Sequence, residues 1–365
     1  MHYLDANASE PLRPEAKAAM AAAFEITGNP SSVHAAGRAA RRVLEDAREK
    51  IAACFGARDQ DVVFTSGGTE ADALAVHALG AARRVTIGAT EHDAIRAAAP
   101  SAAILPVDRQ GVADLDALRS WLSAGPPALV CLMLANNETG TIQPIGEAAA
   151  LCRAHGALLH VDAVQAAGRF PVSLAALGCH AIALSAHKLG GPKGVGALLL
   201  TPELTGIAPL IAGGGQERGR RGGTPALAAI AGFAAVTGLS AAQSRLAALR
   251  DRVEAAAVQH GAIVCGGQAP RLANTTALAL PGVRADAQVI GMDLEGVAVS
   301  AGAACSSGKV QTSHVLTAMG LGSLAGQAIR VSLPWNVTDD AIDAFEAAYA
   351  RMAARLRPAL VPADA

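Results

Sequence analysis

The chain has 365 residues, of which 52% are hydrophobic and 17% are charged, a composition that supplies a large core and excludes a disordered or collagen-like chain. The chain has 30 Lys and Arg residues and 31 Asp and Glu residues, which gives a net charge of -1. It therefore lacks the excess of positive charge that is typical of proteins that bind nucleic acids or membrane surfaces. No apolar run approaches the ~20 residues of a membrane span. A signal peptide begins with basic residues and continues with an apolar segment, whereas this N-terminus carries the acidic residues Asp5 and Glu10. We therefore expect a cytoplasmic protein that binds neither nucleic acid nor membrane.

Before about residue 224 the sequence alternates between short apolar strands and helices. Strands are predicted at 62–64, 85–88, 102–107, 128–134, 158–162, 181–185 and 195–200, and helices at 35–54, 71–79, 115–122 and 145–155. This alternation indicates βαβ units and an α/β fold with a mostly parallel sheet flanked by helices. Ligands of such sheets bind at the carboxyl ends of the strands.

The pattern changes after about residue 224. One long Ala-rich helix is predicted over about 226–260, followed by strands at 262–265, 275–280 and 329–333 and helices at 285–294 and 339–355. We predict a large domain over 13–245 and a smaller α+β domain over 246–365, to which residues 1–12 also belong.

The segment Ser185-Ala186-His187-Lys188 ends an apolar strand with a hydroxyl, an imidazole and an amine, and a glycine turn follows it. A lysine that is desolvated at a strand end can form a Schiff base with a carbonyl cofactor. Of the five lysines in the chain, Lys188 alone has this setting. The segment by itself leaves open the alternative of an ordinary strand-end lysine.

Two further segments suit a phosphorylated cofactor. Asp162 ends another apolar strand, and a buried carboxylate there would keep a pyridinium nitrogen protonated, as pyridoxal phosphate (PLP) requires. The amide of Gln165 could donate a hydrogen bond to the ring's phenolic oxygen. The alternative is that Asp162 is an ordinary helix N-cap and Gln165 an ordinary surface residue. The glycine-rich turn 66–69 presents backbone N–H groups at a helix start, where phosphate binds. It lacks the spacing of a nucleoside-triphosphate loop, so a monophosphate suits it better.

Motifs in order along nearly the whole chain carry a family resemblance. They are YLDANA at 3–8, GNPSSVHAAGR at 28–38, VVFTSGGTEAD at 62–72, TEHDAI at 90–95, NNETGTIQPI at 136–145, HVDAVQAAG at 160–168, SAHKLGGPKGVGAL at 185–198, GGGQERGRRGGT at 213–224 and SAGAACSSG at 300–308. The chain resembles the cysteine desulfurases, in the class-V branch of the fold-type I PLP enzymes.

The resemblance implies a fold-type I PLP-dependent transferase that works as a homodimer. It would convert L-cysteine to L-alanine and transfer the sulfane sulfur to an enzyme cysteine as a persulfide. The sulfur would then pass to an acceptor or iron–sulfur scaffold protein, for the biosynthesis of Fe–S clusters or other sulfur-containing cofactors.

The resemblance also implies roles for individual residues toward the cofactor. Lys188 is the lysine that binds PLP covalently, and His92 is the histidine that stacks on its ring and helps to move protons. Asp162 and Gln165 are the partners of the ring nitrogen and the phenolic oxygen. The implied phosphate ligands are Gly68, Thr69, Ser185, His187 and, reaching across from the second subunit, Thr224.

Substrate binding and sulfur transfer are assigned by the same resemblance. Asn137 and Arg330 hold the substrate's α-carboxylate, a task for which the planar guanidinium fork is well suited. Cys305 accepts the sulfur, and its glycine and serine neighbours suit an exposed loop. The cysteines expected to be buried packing are Cys54, Cys131, Cys152, Cys179 and Cys265.

Three features weigh on the prediction. The opening motif has Ala8-Ser9 where the family usually has two threonines, so no role is predicted for Asn7. Cys152 and His155 lack a second pair at ligand spacing, so no metal site is predicted. The basic run 216–221 has no interleaved aromatics and is interpreted as an ordered active-site loop. The alternatives left open are a selenocysteine lyase, a class-V aminotransferase and a non-catalytic PLP-binding sulfur scaffold.

Overall fold

A computed structural model describes residues 1–204, 206–302 and 312–357. Its α-helices are α1 (Pro14–Phe24), α2 (Ala35–Phe55), α3 (Gly68–Gly80), α4 (Asp93–Ala98), α5 (Leu115–Leu122), α6 (Ile145–Ala154), α7 (Leu174–Leu177), α8 (Leu227–Val236), α9 (Gln243–Gln259), α10 (Ala285–Leu294), α11 (His314–Ala318) and α12 (Asp339–Leu356). Its strands are β1 (His2–Tyr3), β2 (Val62–Thr65), β3 (Arg84–Gly88), β4 (Ala103–Leu105), β5 (Ala128–Cys131), β6 (Leu158–Asp162), β7 (Ala181–Ser185), β8 (Gly196–Leu200), β9 (Ile263–Cys265), β10 (Thr275–Ala279), β11 (Val297–Ala298), β12 (Ser300–Ala301) and β13 (Ala328–Ser332).

The larger sheet has seven strands in the order β2-β8-β7-β6-β5-β3-β4. Strands β3 to β7 run parallel to one another, and β8 is antiparallel to both strands beside it. The central strands are apolar and buried because helices cover both faces of the sheet. The predicted α/β architecture with a mostly parallel sheet is confirmed.

A second sheet of four antiparallel strands has the order β12-β13-β10-β9. Helices α9 and α10 pack on it, and α12 packs against these two helices, around a core that includes Phe345 and Tyr349. The N-terminal residues join this part of the chain. Strand β1 pairs in parallel with β11, and Ala6 N and Leu4 O each hydrogen-bond the backbone of Ser332. The domain boundaries at 12 and 245 stay a prediction.

The single long helix predicted over 226–260 is wrong, because the structure has two helices there. Helix α8 packs against α1 and α2, whereas α9 packs against α12 and β10. The chain turns between them at Gly238, which has a φ of 85°, a conformation that glycine adopts at little cost. Alanine-rich sequence on both sides obscured this break, because alanine favours a helix wherever it stands.

One of the cysteines expected to be buried is not. Cys131, Cys152, Cys179 and Cys265 are buried, but Cys54 is exposed. Helix α2 turns Ile51, Ala52 and Phe55 toward the core, so Cys54 falls on its outer side.

The basic run 216–221 is fixed to the edge of the larger sheet. Glu217 is buried and accepts hydrogen bonds from both terminal nitrogens of Arg48 and from Phe64 N, at 2.7, 2.8 and 2.9 Å. Glu217 and Arg218 both adopt positive φ angles, of 47° and 58°, a conformation that costs free energy in residues other than glycine. Arg221 pairs with Glu70 at 2.8 Å, which ties the run to the first turn of α3.

Within the described residues, no helix is long and apolar enough to cross a membrane.

Candidate active site

The carboxyl ends of the parallel strands open into a cavity of about 540 Å³. Strands β2, β3, β5, β6 and β7 end on this side of the sheet, and β13 of the smaller sheet faces them. The cavity is lined by ten of the residues predicted for the site: Gly68, Thr69, His92, Asn137, Asp162, Gln165, Ser185, His187, Lys188 and Arg330. Residues separated by more than 250 positions therefore meet at one place.

Lys188 ends the single helical turn that directly follows β7, and it lines the cavity. Its Nζ donates hydrogen bonds to the carbonyl oxygens of Asn7 and Ala8. Burial lowers the pKa of Lys188 to about 7, and the nearby guanidinium groups of Arg330 and Arg169 act in the same direction. A large fraction of this amine is therefore neutral near pH 7, which makes it a nucleophile and a base.

Asp162 ends β6 on the same side of the cavity. One of its carboxylate oxygens accepts a hydrogen bond of 2.8 Å from Val164 N. Burial raises the pKa of Asp162 to about 7, and the neighbouring carboxyl of Asp72 raises it too. Such a carboxyl is poorly stabilised as an anion until a cation comes beside it, so it favours a protonated ring nitrogen as a partner.

Further buried polar side chains lie near Asp162. His160 Nε2 and Asp72 Oδ1 are 2.9 Å apart and both side chains are buried. Glu91 accepts a hydrogen bond of 2.6 Å from Met133 N, and burial raises its pKa well above the usual range. These groups surround Asp162 with a fixed polar environment.

The pH dependence of stability should report the buried carboxyl of Asp162. Its pKa of about 7 lies above the ~3.9 of an unfolded chain, so the stability that its protonated form contributes is present at low pH and is lost as the pH rises through about 7. An asparagine side chain at this position cannot ionise, yet its oxygen can still accept from Val164 N. We therefore expect the melting temperature of cofactor-free Asp162→Asn to rise relative to wild type between about pH 5 and about pH 8. A constant difference across this range would contradict the shift.

His92 caps the N-terminus of α4. Its Nδ1 accepts a hydrogen bond of 3.1 Å from Ala94 N, so the proton of the neutral ring is on Nε2. The cap fixes the imidazole at the cavity wall, where a flat ring can stack on a planar ligand.

The glycine-rich turn at 67–69 begins α3 beside the cavity. A methyl group added to Gly68 would lie 2.7 Å from Val164 Cγ2, so only glycine allows this close approach. Ser185 and His187 lie opposite the turn, and His187 Nδ1 is 3.3 Å from Ser9 Oγ. Burial lowers the pKa of His187 to about 4, so its ring is neutral and acts through hydrogen bonds rather than charge. A helix N-terminus with these side chains suits a phosphate group.

Substituting Gly68 by alanine should weaken the binding of a phosphorylated cofactor. The clash with Val164 displaces the turn, and overpacking of this kind costs enough to weaken binding by about tenfold. Gly80→Ala, at the other end of α3, is the matched control, because its added methyl group has an ordinary contact of 3.5 Å with Val85. Fluorescence titration of the cofactor-free proteins with PLP measures both. Equal dissociation constants for the two variants would contradict the cradle.

Arg330 and Gln165 both have partners within the chain. Arg330 donates to Asp5 at 2.6 Å and to the carbonyl oxygen of Asn137 at 3.3 Å. Gln165 donates to the carbonyl oxygen of Asn7 at 3.0 Å, and its side-chain oxygen accepts from Arg169. Both side chains are therefore held in fixed orientations at the cavity.

Two predicted site residues are not among the described residues that line the cavity. Thr224 is exposed and lies in the loop that follows the basic run, where it lines a separate depression with Ser66 and Gly194. Cys305 lies outside the described residues. The described residues nearest to it in sequence, Gly302 and Thr312, both line the cavity.

Three residues at the cavity were given no role from the sequence. Asn7, for which no role was predicted, is buried and donates hydrogen bonds to Asn137 O and Thr275 Oγ1, at 3.0 and 2.9 Å. Asp5 and Glu138 also line the cavity. Their only sequence signal was membership of the opening and NNETG motifs, which says nothing of the partners they find in the fold.

Comparison with known proteins identifies the relatives of this arrangement. Residues 2–345 match the model of the family described as Aminotransferase class-V. An IscS-like cysteine desulfurase of Mycobacterium tuberculosis is 40% identical, with 100% of this chain and 99% of that protein covered. The chain belongs to the cysteine desulfurases of the class-V aminotransferase family. The solved structure of a NifS-like protein from Rickettsia africae superposes on this desulfurase with a TM-score of 0.89 at 33% identity, covering 96% of this chain and 99% of the other.

A second solved structure with a similar fold is a complex. SspA in complex with cysteine superposes with a TM-score of 0.80 at 27% identity, and the match covers 92% of the desulfurase chain and 99% of SspA. The predicted fold-type I class and the predicted family are both confirmed by these comparisons.

Proposed function

We propose that the chain is a PLP-dependent cysteine desulfurase that converts L-cysteine to L-alanine and transfers the sulfane sulfur to Cys305 as a persulfide. The observation that carries the proposal is the convergence, in one cavity, of a lysine whose pKa burial lowers to about 7 and a buried carboxyl, at the ends of two adjacent strands, with an arginine in the same cavity. The relatives at about 40% identity, which are named cysteine desulfurases, support it.

The residues of the cavity fit PLP. Burial lowers the pKa of Lys188 to about 7, so its amine can attack a carbonyl, and the carboxyl of Asp162 forms no salt bridge with any described residue. Gly68 lies so close to Val164 that an added methyl group would displace the turn that it forms with Thr69. Lys188 would hold the cofactor covalently, Asp162 would face the ring nitrogen, and Gln165 its phenolic oxygen. When bound, PLP supplies an electron sink for the bonds at the substrate's Cα.

The phosphate would lie at the N-terminus of α3. Gly68, Thr69, Ser185 and His187 surround this position and offer backbone N–H, hydroxyl and imidazole donors. We assign Thr224 to the phosphate of a second subunit, because it is exposed and outside the cavity of its own chain. The homodimer is thus part of the proposal.

Substrate handling divides between binding and proton transfer. Arg330 and Asn137 would hold the α-carboxylate of L-cysteine, a ligand that the complex of SspA with cysteine supports. Lys188 takes the Cα proton, since its pKa of about 7 lets it act as both base and acid near neutral pH. His92, with its proton on Nε2, is placed to assist.

Sulfur transfer is assigned to Cys305. Its thiolate attacks the substrate sulfur and forms an S–S bond, while the Cβ–S bond breaks and its electron pair stays on Cβ. A proton then completes the methyl group of alanine, and the sulfane sulfur remains on Cys305. Gly302 and Thr312 support this role, since both lie at the cavity on either side of Cys305 in sequence.

The persulfide would serve an acceptor or iron–sulfur scaffold protein in the cytoplasm. The five cysteines among the described residues are free thiols, which accords with a reducing compartment. Persulfide delivery to Fe–S clusters or other sulfur-containing cofactors is the class of process that consumes such a product.

The test of this function is the product balance of the PLP-loaded protein with L-cysteine and dithiothreitol. We expect alanine and sulfide in equal amounts, with PLP retained. Conversion of PLP to its amine form with a keto acid as product would identify an aminotransferase instead. Turnover of L-selenocysteine alone would identify a selenocysteine lyase, and binding of PLP without any product would identify a scaffold.

A further inference from the structure

Both terminal nitrogens of Arg330 already have acceptors inside the chain. Nη2 donates to Asp5 Oδ1 at 2.6 Å, and Nη1 donates to the carbonyl oxygen of Asn137 at 3.3 Å. The remaining nitrogen, Nε, is buried and has no hydrogen-bond partner in the described part of the chain. A carboxylate ligand that approaches the guanidinium fork therefore meets a carboxylate already bound to it.

The backbone places Asp5 at this position. Residues 4–6 run beside β13, with Asp5 opposite Ser332 in a parallel bridge, two residues from Arg330. The Asp5 side chain lines the cavity and is 20% exposed, whereas the Arg330 side chain is 6% exposed. Arg330 is thus fixed, while the single-point contact from Asp5 can be replaced at the cavity surface.

The charges around the guanidinium explain why an internal carboxylate is needed. Arg169 is buried close enough to Arg330 for the two cations to repel each other, and both lower the pKa of Lys188. Asp5 acts on Lys188 in the opposite direction. Glu10 faces Arg169 at 3.7 Å, and burial raises the pKa of this carboxyl.

We propose that Asp5 is an internal counter-ion that occupies Arg330 until the α-carboxylate of an amino-acid ligand displaces it, and that this competition sets the affinity of the site. The proposal rests on the assignment of Arg330 to the α-carboxylate. Competition weakens the binding of substrate and product alike, so it assists the release of alanine. Asp5 is a positioning and affinity-setting residue and takes no part in bond breaking.

Calorimetric titration of the PLP-loaded protein with L-alanine tests the competition. Asp5→Asn keeps the shape and an acceptor for Arg330 Nη2 but removes the charge. We expect its dissociation constant for L-alanine to be about tenfold lower than that of the wild type, because a charged hydrogen bond no longer has to be broken. Asp93→Asn is the matched control, since Asp93 lines the same cavity but lies 3.6 Å from Arg96 instead.

Unchanged or weaker binding by Asp5→Asn would overturn the proposal, and so would an equal gain in Asp93→Asn, which would indicate a general effect of charge. Asp5→Ser repeats the test if the asparagine variant does not retain PLP, and loss of PLP from both variants would make Asp5 structural and overturn the proposal too. Desulfurase turnover of the wild type is measured separately. Failure of the competition and failure of the proposed function are therefore distinguished.

Discussion

Replacement of Lys188 with alanine is expected to lower the rate of alanine formation from L-cysteine by about 10⁴-fold and to abolish the covalent attachment of PLP. Lys188 is the only lysine among the described residues that lines the cavity, so no other amine among those residues can take either role. Its lowered pKa arises from burial beside Arg330 and Arg169, a setting that a surface lysine cannot reproduce. Borohydride reduction followed by peptide mass analysis measures the attachment, and the assay of alanine measures the rate.

Lys17→Ala provides the control for this experiment. Lys17 is exposed on α1, so its removal takes away one positive charge without touching the cavity. The control should keep both the attachment and the rate of the wild type. PLP found covalently bound to a different lysine in Lys188→Ala, with turnover preserved, would contradict the assignment.

Replacement of Cys305 with serine is expected to separate binding from sulfur transfer. The variant should bind PLP and L-cysteine as the wild type does, because the groups that we propose to hold them are Lys188, Asp162 and Arg330. It should form no persulfide, and its production of alanine should fall by at least about 100-fold, since a hydroxyl is not ionised near neutral pH and cannot replace a thiolate nucleophile. Alanine formation and cold cyanolysis of the sulfane sulfur are the two measurements.

Cys54→Ser is the matched control, because Cys54 is the exposed cysteine among the described residues. Burial of part of its surface raises the pKa of the Cys54 thiol, so it is a poor nucleophile despite its exposure. The control should retain the full yield of persulfide and alanine. Loss of sulfur transfer in Cys54→Ser, with Cys305→Ser active, would reverse the assignment.

The sequence was sufficient to predict the sheet and most of the cavity. The strands that end in Asp162, Ser185 or the turn at 66–69 are recognisable as short apolar runs in the sequence, and parallel strands bring their carboxyl ends to one edge of the sheet. The family resemblance added His92 and Arg330. These two follow no local rule, since a histidine at a helix start and an arginine in a strand are both common without any function.

The remaining features depend on contacts between distant parts of the chain. Nothing near Asp5 in sequence indicates that it would meet Arg330, and the pairing of His160 with Asp72 joins a strand to a helix 88 residues earlier. The long helix predicted across Gly238 failed for a similar reason. The two helices there pack on different cores, and alanine-rich segments do not reveal which core they join.

The most direct test of the account is peptide mass mapping of the PLP-loaded wild type after brief incubation with L-cysteine, with alanine assayed in the same sample. We predict one added sulfur atom on the peptide that contains Cys305, matched by an equal amount of alanine. Alanine without added sulfur on that peptide would indicate a lyase that releases sulfide directly, and it would contradict the account.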